Sequence, residues 1–267
     1  MKVFGIDVDF PYPRPYPSQM ALMAKAMKSF VKQENAILES PTGSGKSLAL
    51  LSSSLAYQVH MKNAYHESIS MNPDGLSESI DGISPSPFKT PKIFFSSRTH
   101  TQLAQLVGEL RKLKYSPKMS ILASRKQTCV YTKARQKGSI DQECQALRKT
   151  NECPYASKLP NGYVPKDLNT YPPHKFDIEE LNDICKGEYK CPYFVSKNMA
   201  KNADLIFTPY NYIIDATVRE QMSIDLKGSI LIIDEAHNIE QTCRDVASLS
   251  LCQNDLFQHQ SLWNLSE

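Results

Sequence analysis

Glu39-Ser40-Pro41-Thr42-Gly43-Ser44-Gly45-Lys46-Ser47 is the stretch around which this chain of 267 residues is organised. It follows the short apolar run Ala36-Ile37-Leu38 and precedes a helix-like stretch from Leu48 to His60. Strand, glycine-rich loop and helix, in that order, is the setting in which a phosphate-binding loop works. Gly43 and Gly45 let the backbone curl so that successive N–H groups face phosphate oxygens. The helix N-terminus adds partial positive charge. Lys46 reaches the terminal phosphates of a nucleotide, and the Ser47 hydroxyl holds Mg²⁺. The G-x-x-x-x-G-K-[ST] pattern would have glycine at position 40. Ser40 suits the related A/S-x-T-G-x-G-K-[ST] form, so the candidate nucleotide contacts are Ser40, Pro41, Thr42, Gly43, Ser44, Gly45, Lys46 and Ser47.

Far downstream, Ser229-Ile230-Leu231-Ile232-Ile233 is a continuous apolar run of the kind found in buried parallel strands. It delivers Asp234-Glu235-Ala236-His237 at its carboxyl end, the edge where open α/β sheets bind ligands. An acidic pair there completes a nucleotide site: Asp234 would hold Mg²⁺ and Glu235 would polarise the attacking water. Between the two motifs, Lys92-Ile93-Phe94-Phe95-Ser96 and Ala203-Asp204-Leu205-Ile206-Phe207 read as further strands, and Tyr193 to Asn202 as a helix. The fold class is therefore α/β.

Upstream, Val3 to Phe10 alternates apolar and polar residues and reads as a short edge strand. The proline-rich run Phe10 to Pro17 forces an extended path. Ser18 can cap a helix from Gln19 to about Val31, with apolar residues at Met20, Met23, Ala24, Met27 and Phe30. Gln19, some twenty residues before the phosphate loop, has two readings, a contact to an adenine base or an ordinary helix entry. The totals suit a soluble globular chain: 41% hydrophobic residues and a mean hydropathy of −0.41. No apolar run approaches the ~18 residues of a membrane span, and the N-terminus lacks the form of a signal peptide. A net charge of +3 identifies no partner.

Asn63 to Pro91 is rich in Ser, Asn, Asp, Gly and Pro, and reads as a flexible surface insertion with a turn at Asn72-Pro73-Asp74-Gly75. Its Ser84-Pro85, Ser86-Pro87 and Thr90-Pro91 pairs fit a solvated loop better than proline-directed phosphorylation. Arg98-Thr99-His100-Thr101-Gln102 opens a helix through Leu110, and polar groups at a helix start can grip nucleic-acid phosphates. Then Arg111 to Lys137 holds nine Lys or Arg and no Asp or Glu, with Tyr115 and Tyr131 interleaved. Such a stretch, Arg125 and Lys126 included, suits a single strand whose backbone is neutralised while its bases stack.

Cys129-x14-Cys144-x8-Cys153-x37-Cys191 contains no Cys-x-x-Cys knuckle, so it does not resemble a common zinc site. By spacing alone an iron–sulfur cluster, zinc and free thiols stay open. The repeat of Cys-Pro-Tyr at 153 and 191 points to a shared role for those two cysteines.

With Glu39–Ser47 and Asp234–His237 in hand, the chain resembles a DEAH-type superfamily 2 helicase. Ser97-Arg98-Thr99-His100-Thr101-Gln102-Leu103, Ser124-Arg125-Lys126-x-x-Cys129, Cys191-Pro192-Tyr193 and Phe207-x-Pro209-Tyr210-Asn211-Tyr212 resemble the iron–sulfur XPD-like branch. Within it, Phe10-Pro11-Tyr12, Tyr16-Pro17-x-Gln19 and Glu39 to Leu51 look most like the Fanconi anaemia group J subfamily, with the telomere-length regulators next. The resemblance implies a RecA-like parallel sheet with an inserted iron–sulfur domain: residues 1–118 and 200–267 form the ATP-binding lobe, interrupted by a surface insertion at 63–91, and 119–199 form the cluster domain. It implies that Gln19 reads adenine and that Lys46, Asp234, Glu235 and His237 are catalytic, His237 coupling the ATP site to DNA movement. Ser47 and Asp234 would hold Mg²⁺, and Cys129, Cys144, Cys153 and Cys191 a [4Fe–4S] cluster, leaving Cys185, Cys243 and Cys252 as bystanders. Arg98, Thr99, His100, Arg125, Lys126 and Tyr210 would lie on the DNA path. The activity implied is 5′-to-3′ unwinding in DNA repair in the nucleus, with single-stranded and forked DNA and repair proteins as partners and no membrane. The family's second RecA-like lobe, with its arginine finger, is not among these residues. The chain is thus expected to be half of a motor, or alternatively a module that only binds ATP and single-stranded DNA.

Overall fold

The computed structural model describes residues 1–71, 90–136, 138–157, 159–160 and 162–248. The chain opens with a two-stranded antiparallel hairpin, β1 (Lys2–Val3) and β2 (Ile6–Asp7). The single strand expected over Val3 to Phe10 is broken at Phe4 and Gly5, both at positive φ, which turn the chain back on itself. Helix α1 (Pro17–Lys32) starts two residues before the predicted Gln19. Proline suits the first helical position because its fixed φ is helical and it lacks only an N–H that would go unpaired there. The cap is Tyr16 rather than Ser18, and Tyr16 N–H donates to Gln19 Oε1 at 2.9 Å.

Helix α2 (Lys46–Met71) begins directly after the phosphate loop and runs past the point where the insertion was expected to start. Asn63 to Ser70 contains no proline or glycine, so nothing forces the helix to stop before the Asn72-Pro73 turn. That turn, the Ser-Pro pairs at 84 and 86, Lys137 and Cys252 lie outside the described residues. Leu48, Ala49, Leu51, Leu55 and Ala56 are buried along α2, and α1 packs on it through Leu22, Met23 and Met27. Ser53 and Ser54 sit within α2 because their hydroxyls donate back to carbonyls three and four residues earlier. Further along, the Gln58 side-chain amide donates to the carbonyls of Pro91 (2.7 Å) and Asp204 (3.0 Å), at the starting ends of two core strands.

Those strands are β3 (Ile93–Ser97), followed by α3 (His100–Arg111) and β4 (Met119–Ile121), and β5 (Leu205–Pro209). Between β4 and β5 lie α4 (Arg125–Thr128), α5 (Thr132–Arg135), α6 (Ile140–Lys149), α7 (Ile178–Gly187) and α8 (Pro192–Asn202). After β5 come α9 (Asn211–Ile214), α10 (Ala216–Met222), β6 (Ile230–Ile233) and α11 (Ile239–Ala247). The sheet order is β4-β5-β3-β6, all parallel, with Phe95 paired to Phe207 and Ile232. β4 opens the segment expected as the cluster insertion, yet it is a strand of this sheet.

β3 and β5 are buried along their whole length because both faces are covered. Ile93, Phe95, Leu205 and Phe207 meet α2 and α3 on one face; Phe94 and Ile206 meet Tyr193, Tyr212 and Met222 on the other. The predicted strand Ala36-Ile37-Leu38 does not form: this segment has no regular structure, and Ile37 is fully exposed. A strand needs a ladder partner for its backbone groups. Among the described residues β6 pairs only with β3, and its outer edge leaves Leu231 41% exposed. The architecture is a RecA-like α/β fold with a parallel sheet.

Candidate nucleotide site and cysteine cluster

The phosphate loop curls through Gly43 and Gly45, both at φ +74°, a conformation costly for a residue with a Cβ. Gly45 is doubly required, since a Cβ there would collide with Nε2 of Gln19. Gln19 is buried, its Oε1 held by Tyr16, so its amide is packed against the loop. Ser40 and Ser44 share a hydroxyl–hydroxyl bond of 2.7 Å across the turn, and Lys46 Nζ donates to Ser40 O at 3.2 Å.

The acidic pair arrives at the same place from the other end of the chain. Ser47 Oγ donates to Asp234 Oδ2 at 3.0 Å across 187 residues, and Lys46 Nζ lies 3.7 Å from Glu235 Oε1. A hydroxyl and a carboxylate side by side are hard oxygen donors of the kind Mg²⁺ takes. Burial is the main force on Asp234 and pushes its carboxyl above the usual range, with Glu235 adding to this and Ser47 and Lys46 opposing it. Glu235 sits in the left-handed region, φ 52°. Tyr210 helps hold it there: its hydroxyl donates to the carbonyls of Asp234 and Glu235, and its own N–H donates to Ser97 O at 3.2 Å. Burial, with the two carboxylates, raises the Tyr210 hydroxyl to about 12, so it remains a donor. His237 is exposed, with Nδ1 3.4 Å from Glu235 Oε2 and Nε2 2.9 Å from Asn238 Nδ2.

The expected DNA contacts divide. Arg98 is exposed and donates to Asn238 Oδ1 at 2.9 Å, linking the end of β3 to the turn after the acidic pair. Thr99 caps α3, accepting from Gln102 N–H at 3.3 Å. His100 is half-buried, and burial lowers its imidazole below the ordinary value, which favours the neutral form. Lys126 is exposed. Tyr210 is 2% exposed, which removes it from any surface path. Arg125 is likewise committed elsewhere: its guanidinium lies 4.1 Å over the Tyr193 ring and pairs with Asp141 Oδ1 at 2.6 Å. Tyr115 is also withdrawn, its hydroxyl accepting from Asp9 N–H at 2.7 Å within the core. Tyr131, by contrast, contacts Tyr155, and Tyr155 contacts Tyr189.

Cys129 ends α4, Cys144 lies on α6, Cys153 follows α6 and Cys191 caps α8. Burial raises the thiols of Cys129 and Cys191, the latter to about 11, and Cys144 and Cys153 contribute to both shifts. These two therefore lie electrostatically near each of the others. Cys185 differs: it is fully buried among Leu181 and Val195, and burial pushes it to about 12, with Cys191 and Glu188 secondary. Among the described residues no three His, Cys, Asp or Glu side chains close to metal-ligating distance. Cys243 is exposed on α11.

Sequence reading missed Asn238, Asp141 and Tyr189, whose roles depend on partners brought from distant elements. Tyr155 carried a visible signal, the repeated Cys-Pro-Tyr.

The DEAD_2 family profile matches residues 95–256. The regulator of telomere elongation helicase 1 of Mus musculus is 38% identical over 269 residues, spanning 94% of this chain and 22% of that protein. That of Homo sapiens is 35% identical over 269 residues, with the same 94% and 22%. The chain thus spans about a fifth of the length of these relatives. A solved structure titled XPD_Helicase superposes with a TM-score of 0.55 at 22% identity, covering 86% of this chain and 34% of that one, a likeness of fold. The expected affinity to the Fanconi anaemia group J subfamily is overturned, because these matches are to telomere-elongation regulators.

Proposed function

The chain belongs to the DEAD_2 family, and on that premise we propose that it is the nucleotide-binding lobe of an ATP-dependent DNA helicase of nuclear genome maintenance. The observation that carries the reading is the meeting of Ser47 with Asp234 and of Lys46 with Glu235 at the carboxyl end of β6. In this reading the curled loop cradles the ATP phosphates, Lys46 neutralises them, and Ser47 with Asp234 holds Mg²⁺. Glu235, fixed by the backbone bonds from Tyr210, orients the attacking water. Gln19, packed on the loop, faces the adenine side of the same nucleotide. His237 and the Arg98–Asn238 bond connect the acidic turn to the loop after β3, where a DNA strand would pass. Unwinding from 5′ to 3′ on single-stranded and forked DNA, alongside repair proteins, is part of the proposal; the telomere-helicase relatives support a helicase role.

Residues 119–199, apart from β4, which belongs to the core sheet, form in this reading a domain around a [4Fe–4S] cluster held by Cys129, Cys144, Cys153 and Cys191. The donor chemistry fits: four thiols come from four separate positions of one segment, and Cys144 and Cys153 both act on the thiols of Cys129 and Cys191. When bound, the cluster supplies four iron–thiolate bonds that tie α4, α6 and α8 together. The chain's own residues then keep the segment ordered, Arg125 through Tyr193 and Asp141, and Arg135 through the carbonyls of Cys129 and Lys126.

Binding of a fluorescent ATP analogue tests the reading. The chain should bind it in the presence of Mg²⁺, with affinity falling about tenfold to a hundredfold in Lys46→Ala, since a charge-assisted contact to phosphate is lost. Unchanged binding in Lys46→Ala would overturn it. A second reading, in which the chain only binds ATP and single-stranded DNA, predicts the same binding and no hydrolysis even beside a complete partner lobe.

A further inference from the structure

Three tyrosines come together on the cysteine-bearing segment, each two residues from a cysteine: Tyr131 after Cys129, Tyr155 after Cys153 and Tyr189 before Cys191. Ring centroids are 6.1 Å apart for Tyr131–Tyr155 and 6.0 Å for Tyr155–Tyr189, the latter pair stacked at 17°. Tyr189 stacks on Tyr155 and is itself 67% exposed.

The backbone under Tyr189 is the second observation. Helix α7 ends in a Schellman arrangement: Tyr189 N–H donates to Lys186 O and Lys190 N–H to Cys185 O. The residue after the cap in this motif is left-handed and is usually glycine. Here it is tyrosine at φ 53°, and Gly187, two residues earlier, lies within the helix instead. A bulky aromatic held in a conformation that disfavours it, and left facing solvent, gains nothing for the core. Such outliers cluster at ligand-binding positions.

Charge supplies the third. Lys126, Lys133 and Arg135 are exposed on the α4–α5 side and Lys186 on the α7 side. Arg135 also pins the loop carrying Tyr131 by donating to the carbonyls of Cys129 (2.7 Å) and Lys126 (3.1 Å). Glu188, the acid next to Tyr189, has its carboxylate engaged by the Tyr163 hydroxyl. A stacked Tyr155–Tyr189 pair, with Tyr131 tilted at 52° against Tyr155, on a segment that also carries exposed cations, matches a single nucleic-acid strand, whose bases stack while its phosphates are neutralised.

We infer that the Tyr131–Tyr155–Tyr189 ladder is a base-stacking platform for single-stranded DNA, with the exposed ring of Tyr189 receiving a base and extending the stack. The inference rests on the DNA-binding reading proposed above and names the surface that senses bases. The cysteine segment then contacts the strand through its bases, whereas the loop after β3 contacts phosphates.

Fluorescence anisotropy of the anaerobically purified chain against two labelled strands of about fifteen nucleotides tests it, a length near the upper site sizes of single-strand binders. One strand is oligodeoxythymidylate and the other carries abasic tetrahydrofuran units throughout. Tyr189→Gly removes the ring while suiting the left-handed turn, so folding is preserved. It should weaken thymidylate binding about tenfold and leave abasic binding unchanged, and Tyr189→Trp should retain wild-type affinity, since stacking of one base is worth about that factor. Equal wild-type affinity for the two strands, an equal loss on both in Tyr189→Gly, or no loss on either would overturn the platform while leaving charge-driven strand binding intact. A wild-type chain that binds neither strand would overturn the platform together with the DNA-binding reading.

Discussion

The carboxyl end of the sheet and the cysteine segment solve opposite problems. At the sheet edge the functional side chains already pair with one another: Ser47 with Asp234, Lys46 with Glu235, Arg98 with Asn238. Strands β3 and β6, in parallel register, bring Arg98 and the acidic pair there, and the loop that opens α2 brings Lys46 and Ser47. In the cysteine segment the four thiols are free and lie on or beside short helices held by rings and guanidiniums. Arg148, for example, lies 4.4 Å over Phe194. At the sheet edge the side chains bond to one another, whereas the four thiols do not.

The largest expected break in that contrast is at Cys191. Protein prepared without oxygen should be brown, absorb near ~400 nm and carry about four irons per chain. Cys191→Ser should lose colour and iron, whereas Cys185→Ser, altering a thiol buried in the apolar core, should keep both at some cost in melting temperature. Stoichiometric zinc without iron would sink the cluster, and colour loss in Cys185→Ser alone would show the wrong fourth ligand. Neither variant should change nucleotide affinity, because the sheet edge does not depend on the thiols.

Next in size is Gly45→Ala. The left-handed backbone alone costs a side chain about 1–2 kcal/mol, and the new methyl meets the Gln19 amide. Chemical denaturation should show at least that loss. Adding Gln19→Ala should recover the collision and not the backbone strain; full recovery would mean that φ at this position relaxes freely.

Much of this edge was legible beforehand, since the phosphate loop and the acidic tetrapeptide are contiguous motifs with their chemistry in adjacent residues. β3, β5 and β6 were legible as apolar runs. The strand over Ala36–Leu38 was not, because propensity does not reveal whether a neighbour exists to pair with it. The partners of Arg125 and Tyr210, namely Asp141, Tyr193 and the turn at Asp234, were not legible for a related reason: they come from distant elements. The subfamily was misjudged because the quoted motifs are short and cluster at the glycine-rich loop and Gln19, a small part of the chain. Similarity along the whole chain separates the branches.

A smaller effect separates Arg125 from Lys126. Arg125→Ala should destabilise the chain by about 1–3 kcal/mol through the lost ring contact and ion pair, with little change in the salt dependence of DNA binding. Lys126→Ala should leave stability unchanged and reduce the slope of log affinity against log salt by about one. An exchange of these two outcomes would return Arg125 to the DNA path.

The smallest expected effect concerns His100. Burial lowers its folded-state pKa, so as pH falls the unfolded chain takes up the proton first. The stability it contributes is whole above about pH 6.5 and declines as pH falls through the folded value. Melting curves across this range should show the decline, and His100→Asn should flatten it. A wild-type chain more stable at pH 5.5 than at 7.5 would reverse the sign and refute the assignment.

Gln58 has a mechanical consequence. Helix α2 leaves the phosphate loop at Lys46 and, some three turns on, is fastened by one side-chain amide to carbonyls just before β3 and β5. It is a strut across the sheet, with one foot at the phosphate loop and the other at the opposite end of the strands. A displacement of the loop on binding ATP would therefore tilt α2 about that fastening instead of sliding it. The tilt would load β3 and β5, whose far ends lead into Arg98 and Tyr210. Gln58 would be the fulcrum of such a lever.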